Sequence, residues 1–294
     1  MQLKESLLYN TYRSFAYLIR ISPKSLAYKG AFLGGDLMRH IMQNRREIFR
    51  RNLKRVVPNA TEKELDQLVT KGFHSYAQYW VDAARVVKFT RRQLMQSFTA
   101  IGYEPAFKAM RAGQGVLMGL AHLGSWEAGG AWLAAKGFEM YTVAEELKPP
   151  ELFQWFVKER EEIGIHVMPA SLKAVTNLSK VLKQGGLVGL ICDRDLTGNG
   201  IDVEFFGETT KLPAGPATLA IRTNSLVVTA AVYTVGPGEF YGVVSEPINY
   251  SKTKDLKAEV RNLTQAIAKN LEDHIRYKPE QWHMLQPNWP SDKV

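Results

Sequence analysis

The feature that most constrains the fold is an alternation of short apolar segments and amphipathic segments that begins near residue 114. The spacing predicts strands over 115–121, 140–144, 166–168 and 187–192, and helices over 125–136, 150–163, 172–183 and 215–223. Residues 227–235 and 240–244 flank a Gly-Pro-Gly turn and predict a hairpin, and a long helix is predicted over 255–277. Strands that alternate with helices indicate an α/β fold with a mostly parallel central sheet flanked by helices.

The first hundred residues have a different pattern, in which apolar residues recur at helical intervals over 6–20, 31–42 and 64–88. Pro23 and Pro58 interrupt this pattern, and Thr61 with Glu64 has the spacing of a capping box that begins a helix. The stretch RREIFRRNLKRVVP predicts a basic amphipathic helix. Because the sequence shows no linker between the two parts, we expect one domain over 1–294. It would contain a basic helical region (1–100) followed by an α/β catalytic body (101–294).

The positive charge of the chain is concentrated in this helical region. Residues 1–100 contain 18 Lys and Arg against 7 Asp and Glu, whereas residues 101–294 contain 20 against 22. Such a bias favours an anionic partner, although a solvated basic face is the alternative. The aromatic and basic mixture at the N-terminus suits a helix lying among membrane headgroups, and it equally suits a helix packed on the protein. No apolar run reaches the length that crosses a bilayer, and no signal peptide is expected.

The stretch LMGLAHLGSWEAGG passes from apolar to polar residues at His122, and Glu127 follows five residues later. On one continuous helix these two side chains would lie about 140° apart. They can meet only if His122 lies in the turn after the strand and Glu127 in the first turn of the next helix. We then expect the carboxylate to hold one imidazole nitrogen as N–H, which frees the other as a general base. The alternative is a histidine packed at a strand end.

A second stretch, GLVGLICDRDLTGNG, places Asp193, Arg194 and Asp195 after an apolar strand. An acid at a neighbouring strand end could lie near His122, because α/β proteins gather ligand-binding residues where parallel strands end. The alternative is a loop acid paired with Arg194. The segment beyond predicts a glycine-rich loop with Phe205 and Phe206 exposed, and Cys192 is expected in the core.

Several classes of protein are disfavoured by what the sequence lacks. It contains no G-x-S-x-G, H-E-x-x-H, Walker A or G-x-G-x-x-G motif, so no serine acyl-enzyme, zinc protease, nucleoside triphosphatase or dinucleotide enzyme is indicated. A single cysteine excludes an internal disulfide. No third ligand accompanies His122 and Glu127, so we expect no metal. No combined aromatic and basic nucleic-acid motif is present, so we expect no nucleic-acid partner.

Three blocks carry a resemblance to a known family: RRNLKRVVPNATEKEL, HLGSWE, and VGLICDRD followed by GIDVEFFGE and LPAGPATLAIRT. Together they resemble the bacterial lipid A biosynthesis acyltransferase superfamily over residues 40–285, and HLGSWE matches its H-x4-D/E motif. CDRDLTGNGIDVEFFGE and WHMLQPNW are most similar to the phosphatidylinositol mannoside acyltransferases of that superfamily. The resemblance implies a glycerolipid-acyltransferase-like fold.

The resemblance also implies an activity and catalytic residues. It implies transfer of a palmitoyl chain from acyl-CoA, as co-substrate and without a cofactor, to the mannose of a phosphatidylinositol mannoside. The enzyme would be a peripheral protein on the cytoplasmic face of the plasma membrane or cell inner membrane, with a glycophospholipid acceptor in an anionic surface. By the same resemblance His122 is the catalytic base, Glu127 its charge-relay acid and Asp193 a third catalytic residue.

The substrate-binding residues implied by the resemblance are Glu145, Arg160 and Arg194, of which Glu145 and Arg160 would face the sugar or order the pocket. From the residues alone, Arg160 could instead form an ion pair inside KEREE at helical spacing. Two alternatives stay open for the whole chain. One is an acyltransferase acting on a lipid A precursor or a lysophospholipid, and the other is a non-catalytic basic membrane-binding protein in which His122 and Glu127 are dispensable.

Overall fold

The computed structural model describes residues 2–251 and 255–292. The helices are α1 (Gln2–Ile21), α2 (Lys24–Ile41), α3 (Gln43–Val56), α4 (Glu62–Val86), α5 (Arg91–Ser97), α6 (Glu104–Arg111), α7 (Trp126–Ala135), α8 (Pro150–Glu161), α9 (Leu172–Lys183), α10 (Gly215–Thr223) and α11 (Leu256–Tyr277). The strands are β1 (Phe98–Ile101), β2 (Val116–Gly124), β3 (Met140–Ala144), β4 (Ile165–Pro169), β5 (Leu187–Ile191), β6 (Ile201–Phe205), β7 (Glu208–Leu212), β8 (Leu226–Gly236) and β9 (Glu239–Val244).

The central sheet contains seven strands in the order β1-β9-β8-β2-β5-β3-β4 within the described residues. Every neighbouring pair is parallel except β8 and β9, which form the predicted antiparallel hairpin. Helices cover both faces, which confirms the predicted α/β fold with a mostly parallel sheet. Parallel strands that are buried on both faces of a sheet consist of continuous apolar runs, and β2 at the centre has that composition.

Side chains of β2 alternate between the two halves of the core. Leu117 and Ala121 pack with residues of α9, α10 and α11, whereas Met118 and Leu120 pack with residues of α6 and α7. Successive residues of a strand point to opposite faces of the sheet, so one strand anchors both layers of helices. The end of β2 is therefore fixed from both sides.

The register of β2 against β5 determines which residues meet at the edge of the sheet. Leu120 lies opposite Ile191 in this parallel pair. His122 and Asp193 come two residues further along their chains, where β5 has ended and β2 continues to Gly124. This edge is the one at which ligands bind in open α/β sheets.

The basic helical region packs against the α/β body chiefly through α4. The predicted capping box at Thr61 and Glu64 begins α4, which then contacts α7 and β2. The predicted basic amphipathic helix is α3, and its buried Phe49 lies edge-on to Phe73 of α4. The Asn52 side chain donates to the carbonyl oxygens of Met284 and Gln286, which ties α3 to the C-terminal segment. That residues 1–294 form a single domain stays a prediction.

One segment differs clearly from expectation. The predicted exposed, glycine-rich loop after Asp193 contains the antiparallel β6–β7 hairpin, and both Phe205 and Phe206 are buried. The reason is a long-range contact, because Phe205 stacks on Trp289 and meets Trp282 edge-on. The C-terminal segment thus supplies the apolar surface that buries the two phenylalanines. Among residues 2–251 and 255–292, no helix is both long and apolar enough to span a bilayer.

Candidate active site

His122 lies within β2, which extends three residues beyond the predicted strand end and reaches Gly124. The pairing of β2 with β8 shifts between Leu120 and Gly124, so the end of the strand is irregular. Gly124 has a φ of +60°, and a Cβ atom there would lie 1.9 Å from the carbonyl oxygen of Val232. Only glycine fits this close approach without strain. The local sequence therefore fixes how the strand presents His122.

The carboxylate that holds His122 is Asp193, the second residue after β5. His122 Nδ1 lies 2.7 Å from Asp193 Oδ1, and the backbone N–H of His122 donates to Oδ2 at 3.0 Å. The indole Nε1–H of Trp282 donates to the same Oδ2 at 2.8 Å. Because the Asp193 carboxylate can only accept a hydrogen bond, Nδ1 of His122 carries the proton that it donates. Nε2 is then the basic nitrogen of the ring.

Burial and ion pairing act in opposite directions on this pair. Burial by itself lowers the pKa of His122, but the Asp193 carboxylate outweighs it and holds the pKa above its ordinary value, against an opposing effect of Arg194. Burial likewise raises the pKa of Asp193, but His122 and the Trp282 indole reverse the direction and lower it. Both shifts favour the ion pair of an Asp193 carboxylate with a His122 imidazolium.

The His122 ring faces a cleft of about 210 Å³ and has 43% of its side chain exposed. Aromatic residues of α4 form one wall, and Arg194, the C-terminal segment and Arg45 of α3 form the others. This volume is smaller than that of pockets for drug-sized ligands, roughly 300–1,000 Å³, so the cleft admits one group of a larger ligand. A hydroxyl-bearing ligand can therefore reach His122 from solvent.

Glu127 does not hold His122, so this part of the prediction is wrong. In the described part of the chain its carboxylate accepts from the Tyr79 hydroxyl at 2.8 Å and from Arg160 Nη2 at 2.8 Å, and it makes no hydrogen bond or ion pair with His122. The reason is that His122 remains in the strand while Glu127 lies in α7, where it faces α4 and α8. Proximity in sequence does not bring these two side chains together.

Arg160 belongs to the Glu127 cluster and is not among the residues that line the cleft. Its guanidinium lies 5.1 Å from the ring centre of Trp126, and it pairs with Glu127 instead of an acid of KEREE. Burial, followed by the negative charge of Glu127, raises the pKa of Tyr79 well above its ordinary value, so Tyr79 stays a hydrogen-bond donor. This cluster supports the wall of the cleft from behind Trp126.

The remaining predicted residues divide between the cleft and the surface. Arg194 lines the cleft and donates to the side-chain oxygen of Gln286, so it is not paired with a loop acid. Asp195 instead accepts from the backbone N–H groups of Thr197 and Gly200 and shapes its own loop. Glu145 follows β3 as an exposed residue and does not line the cleft.

His283 is a cleft residue that the sequence reasoning missed. Its backbone N–H donates to the carbonyl oxygen of His122 at 2.7 Å, and its Nε2 lies 2.9 Å from the Ser75 hydroxyl. Burial, together with the nearby His122, lowers the pKa of His283 to about 3, so it stays neutral. The signal available was its position in WHMLQPNW, beside the Trp282 that binds Asp193.

A small apolar cavity of about 40 Å³ lies between the sheet and the α6–α7 layer. Ala121 and Leu123, the residues on either side of His122, contribute to its lining. Trp126 lines both this cavity and the His122 cleft. The imidazole therefore lies where a polar cleft and an apolar cavity adjoin.

Comparison with known proteins identifies the family. Residues 4–291 match the family described as bacterial lipid A biosynthesis acyltransferase. The chain belongs to this acyltransferase family. It is 34% identical over 279 residues to the phosphatidylinositol mannoside acyltransferase of Mycolicibacterium smegmatis, covering 94% of this chain and 89% of that protein. It is also 34% identical over 251 residues to the enzyme of the same name from Mycobacterium tuberculosis, covering 84% and 78%.

The protein is thus an acyltransferase, and its cysteine is unsuited to carry an acyl group. Cys192 is buried in the core as expected, and burial raises the pKa of its thiol to about 12. A thiol must ionise to act as a nucleophile. Within residues 2–251 and 255–292, no cluster of three or more histidine, cysteine or acidic side chains is arranged to bind a metal ion.

Proposed function

We propose that this acyltransferase moves a long acyl chain, palmitoyl, from acyl-CoA directly to a mannose hydroxyl of a phosphatidylinositol mannoside. The observation that supports this proposal most is the position of His122, which has a basic Nε2 at the junction of an apolar cavity and a polar cleft. The named substrates of the two similar mycobacterial enzymes support the choice of acceptor.

In the proposed reaction, Nε2 of His122 takes the proton of the acceptor hydroxyl as its oxygen attacks the thioester carbonyl. The tetrahedral intermediate then collapses, the C–S bond breaks, and the imidazolium returns the proton to the departing thiolate. Asp193 stabilises the imidazolium through the 2.7 Å contact to Nδ1. General-base assistance of this kind contributes about 10²–10⁴ in rate.

The thioester would lie beside Trp126, and the acyl chain would follow the apolar lining of the adjoining cavity, whose side chains must move apart to admit it. The first amides of α7 have no carbonyl acceptor within their own helix, and they begin two residues after β2 ends. Amides in this position stabilise negative charge on a carbonyl oxygen. They supply the oxyanion stabilisation in this proposal, because Arg160 lies behind Trp126.

We further propose that α1 and α2 hold the enzyme on the anionic cytoplasmic face of the plasma membrane as a peripheral protein. Both helices expose large apolar side chains beside basic residues such as Arg13 and Lys29, a composition typical of interfacial helices. The exposed apolar residues are Leu7, Leu8, Phe15, Tyr17, Leu18 and Ile21 in α1, and Leu26, Phe32, Leu33, Leu37 and Ile41 in α2.

Vesicle sedimentation tests this membrane proposal. The wild type should bind vesicles containing anionic lipid more tightly than neutral vesicles, and added salt should weaken the binding. The double variant L33E/L37E should lose binding, whereas L172E, which changes a side chain 89% exposed on α9, should not. Equal binding to neutral and anionic vesicles would contradict an electrostatic membrane contact.

Product analysis tests the reaction and the acceptor. The purified enzyme would be incubated with palmitoyl-CoA and, separately, a phosphatidylinositol mannoside, a lipid A precursor or a lysophospholipid, with products resolved by thin-layer chromatography and mass spectrometry. We expect one added palmitoyl group on the mannose. Acylation confined to one of the other acceptors would assign a different lipid substrate, and no acylation of any acceptor would overturn the proposal.

A further inference from the structure

The His122 cleft has an uneven charge distribution that the acyl transfer chemistry does not require. Its lining includes the arginines Arg45 and Arg194 and, among the described residues, no acidic side chain. The carboxylates of Asp193 and Glu127 are already paired, the first with His122 and the second with Arg160. The cleft is therefore positive where a ligand would enter.

Neither arginine is neutralised within the described part of the chain. Arg194 donates only to Gln286, a neutral partner, and its Nε is buried without a hydrogen-bond acceptor. Arg45 forms no ion pair there, whereas Arg50 and Arg55 of the same helix each pair with two acids. A buried donor without an acceptor carries a free-energy cost unless a ligand satisfies it.

We propose that Arg45 and Arg194 form a phosphate-binding subsite that anchors one substrate beside His122. The guanidinium group offers a planar fork of N–H donors that matches a phosphate, and its charge strengthens each hydrogen bond. This inference rests on the proposed function, in which both substrates carry phosphate. The acceptor has a phosphodiester, and the CoA donor has a phosphoanhydride and a phosphomonoester.

The position of the subsite would let a bound phosphate orient the substrate relative to His122. Arg194 follows Asp193 directly, so the residue that binds phosphate and the residue that holds the base are adjacent at the end of β5. A phosphate held by Arg194 would fix the distance from the charged group of the substrate to Nε2 of His122. Orientation of this kind lowers the barrier by reducing the freedom that must be lost during reaction.

Isothermal titration calorimetry distinguishes the two sources of phosphate without requiring turnover. The probes are CoA and the deacylated headgroup glycerophosphoinositol mannoside, titrated into the wild type, R45Q and R194Q. The matched control is R46Q, which removes the same charge from the next residue of α3, outside the cleft lining. Circular dichroism and the melting temperature would establish that each variant is folded.

We expect Kd to rise about tenfold or more in R45Q and in R194Q for one of the two probes, the size of a lost charge-assisted hydrogen bond. R46Q should bind as the wild type does. Loss of CoA binding assigns the subsite to the donor, and loss of headgroup binding assigns it to the acceptor. Pantetheine and mannosyl inositol, which lack phosphate, should bind the wild type and both cleft variants equally.

Three results would overturn the subsite: an unchanged Kd in both cleft variants, an equal loss in R46Q, or a wild type that binds neither phosphate probe. The acyl-transfer assay is separate, so the two proposals can fail independently. A wild type that acylates its acceptor while the variants retain phosphate binding removes the subsite alone. A wild type that transfers no acyl group, while R45Q and R194Q lose phosphate binding, removes the proposed reaction alone.

Discussion

Replacing Asp193 with Asn tests which carboxylate controls the base. Asp193→Asn removes the charge that makes the 2.7 Å contact to His122 Nδ1 while keeping nearly the same shape. A hydrogen bond to a charged group contributes about 1.5–3 kcal/mol, which corresponds to a factor of roughly 10–100 in rate. We therefore expect kcat to fall by about 10- to 100-fold, less than the loss on removing His122 itself.

The pH dependence of kcat/KM gives the sharper readout. The base must be deprotonated, so activity is lost as pH falls through the pKa of His122, which Asp193 holds above its ordinary value of 6.5. Without the carboxylate charge, burial and Arg194 remain, and both lower this pKa. The acidic limb should then move to lower pH in Asp193→Asn.

Glu127→Gln is the matched control for this experiment, because it removes a buried carboxylate charge that lies close in sequence but does not contact His122. It should reduce the rate by loosening Arg160 and leave the acidic limb in place. Initial rates with palmitoyl-CoA between pH 5 and 9 would be compared for the wild type and both variants. A limb that stays fixed in Asp193→Asn, or moves equally in Glu127→Gln, would refute the assignment of Asp193.

Three further predictions concern stability and are measured by urea unfolding. Gly124→Ala should destabilise the fold by about 1–3 kcal/mol or more, since φ is +60° and the new Cβ meets the Val232 carbonyl; an unchanged midpoint would contradict this. Phe205→Ala should cost about 3–5 kcal/mol, and a loss below about 1 kcal/mol would contradict its burial. Burial raises the pKa of Asp82 to about 7 from 3.8, so the contribution of its neutral carboxyl group to stability is complete below pH 3.8 and is lost as pH rises through 7. Asp82→Asn should weaken the dependence of the free energy of unfolding on pH over this range. An unchanged dependence would contradict the raised pKa.

The sequence was sufficient to predict the α/β body, because buried parallel strands and amphipathic helices have distinct local patterns. The bounds of β3, α9 and α10 match the prediction, and the β8–β9 hairpin forms around its Gly-Pro-Gly turn. The β6–β7 hairpin was missed because its apolar residues are buried by Trp289, far along the chain. Such a contact leaves no periodic signal within the segment itself.

The candidate site shows the same division between local and non-local information. His122 was identified from the change of polarity at the end of an apolar strand. Its partner depends on the register of β2 against β5, which aligns Asp193 with His122, and an acid at this strand end was among the possibilities raised from sequence. The separation of five residues from Glu127 indicated the wrong partner because β2 continues to Gly124. Arg45 reaches the cleft from α3, where no local pattern identifies it, and the signal for His283 was its position in WHMLQPNW.

The most direct test of His122 as the base compares acyl transfer by the wild type with that of His122→Ala and His122→Asn. The Asn side chain can keep an N–H donor near Asp193 while removing Nε2, so it separates the loss of the base from the loss of the buried contact. Rates of palmitoyl transfer to phosphatidylinositol mannoside would be measured on variants with wild-type circular dichroism. We expect both to fall by about 10²–10⁴ or more. A folded variant that transfers palmitate at nearly the wild-type rate would contradict the assignment of His122.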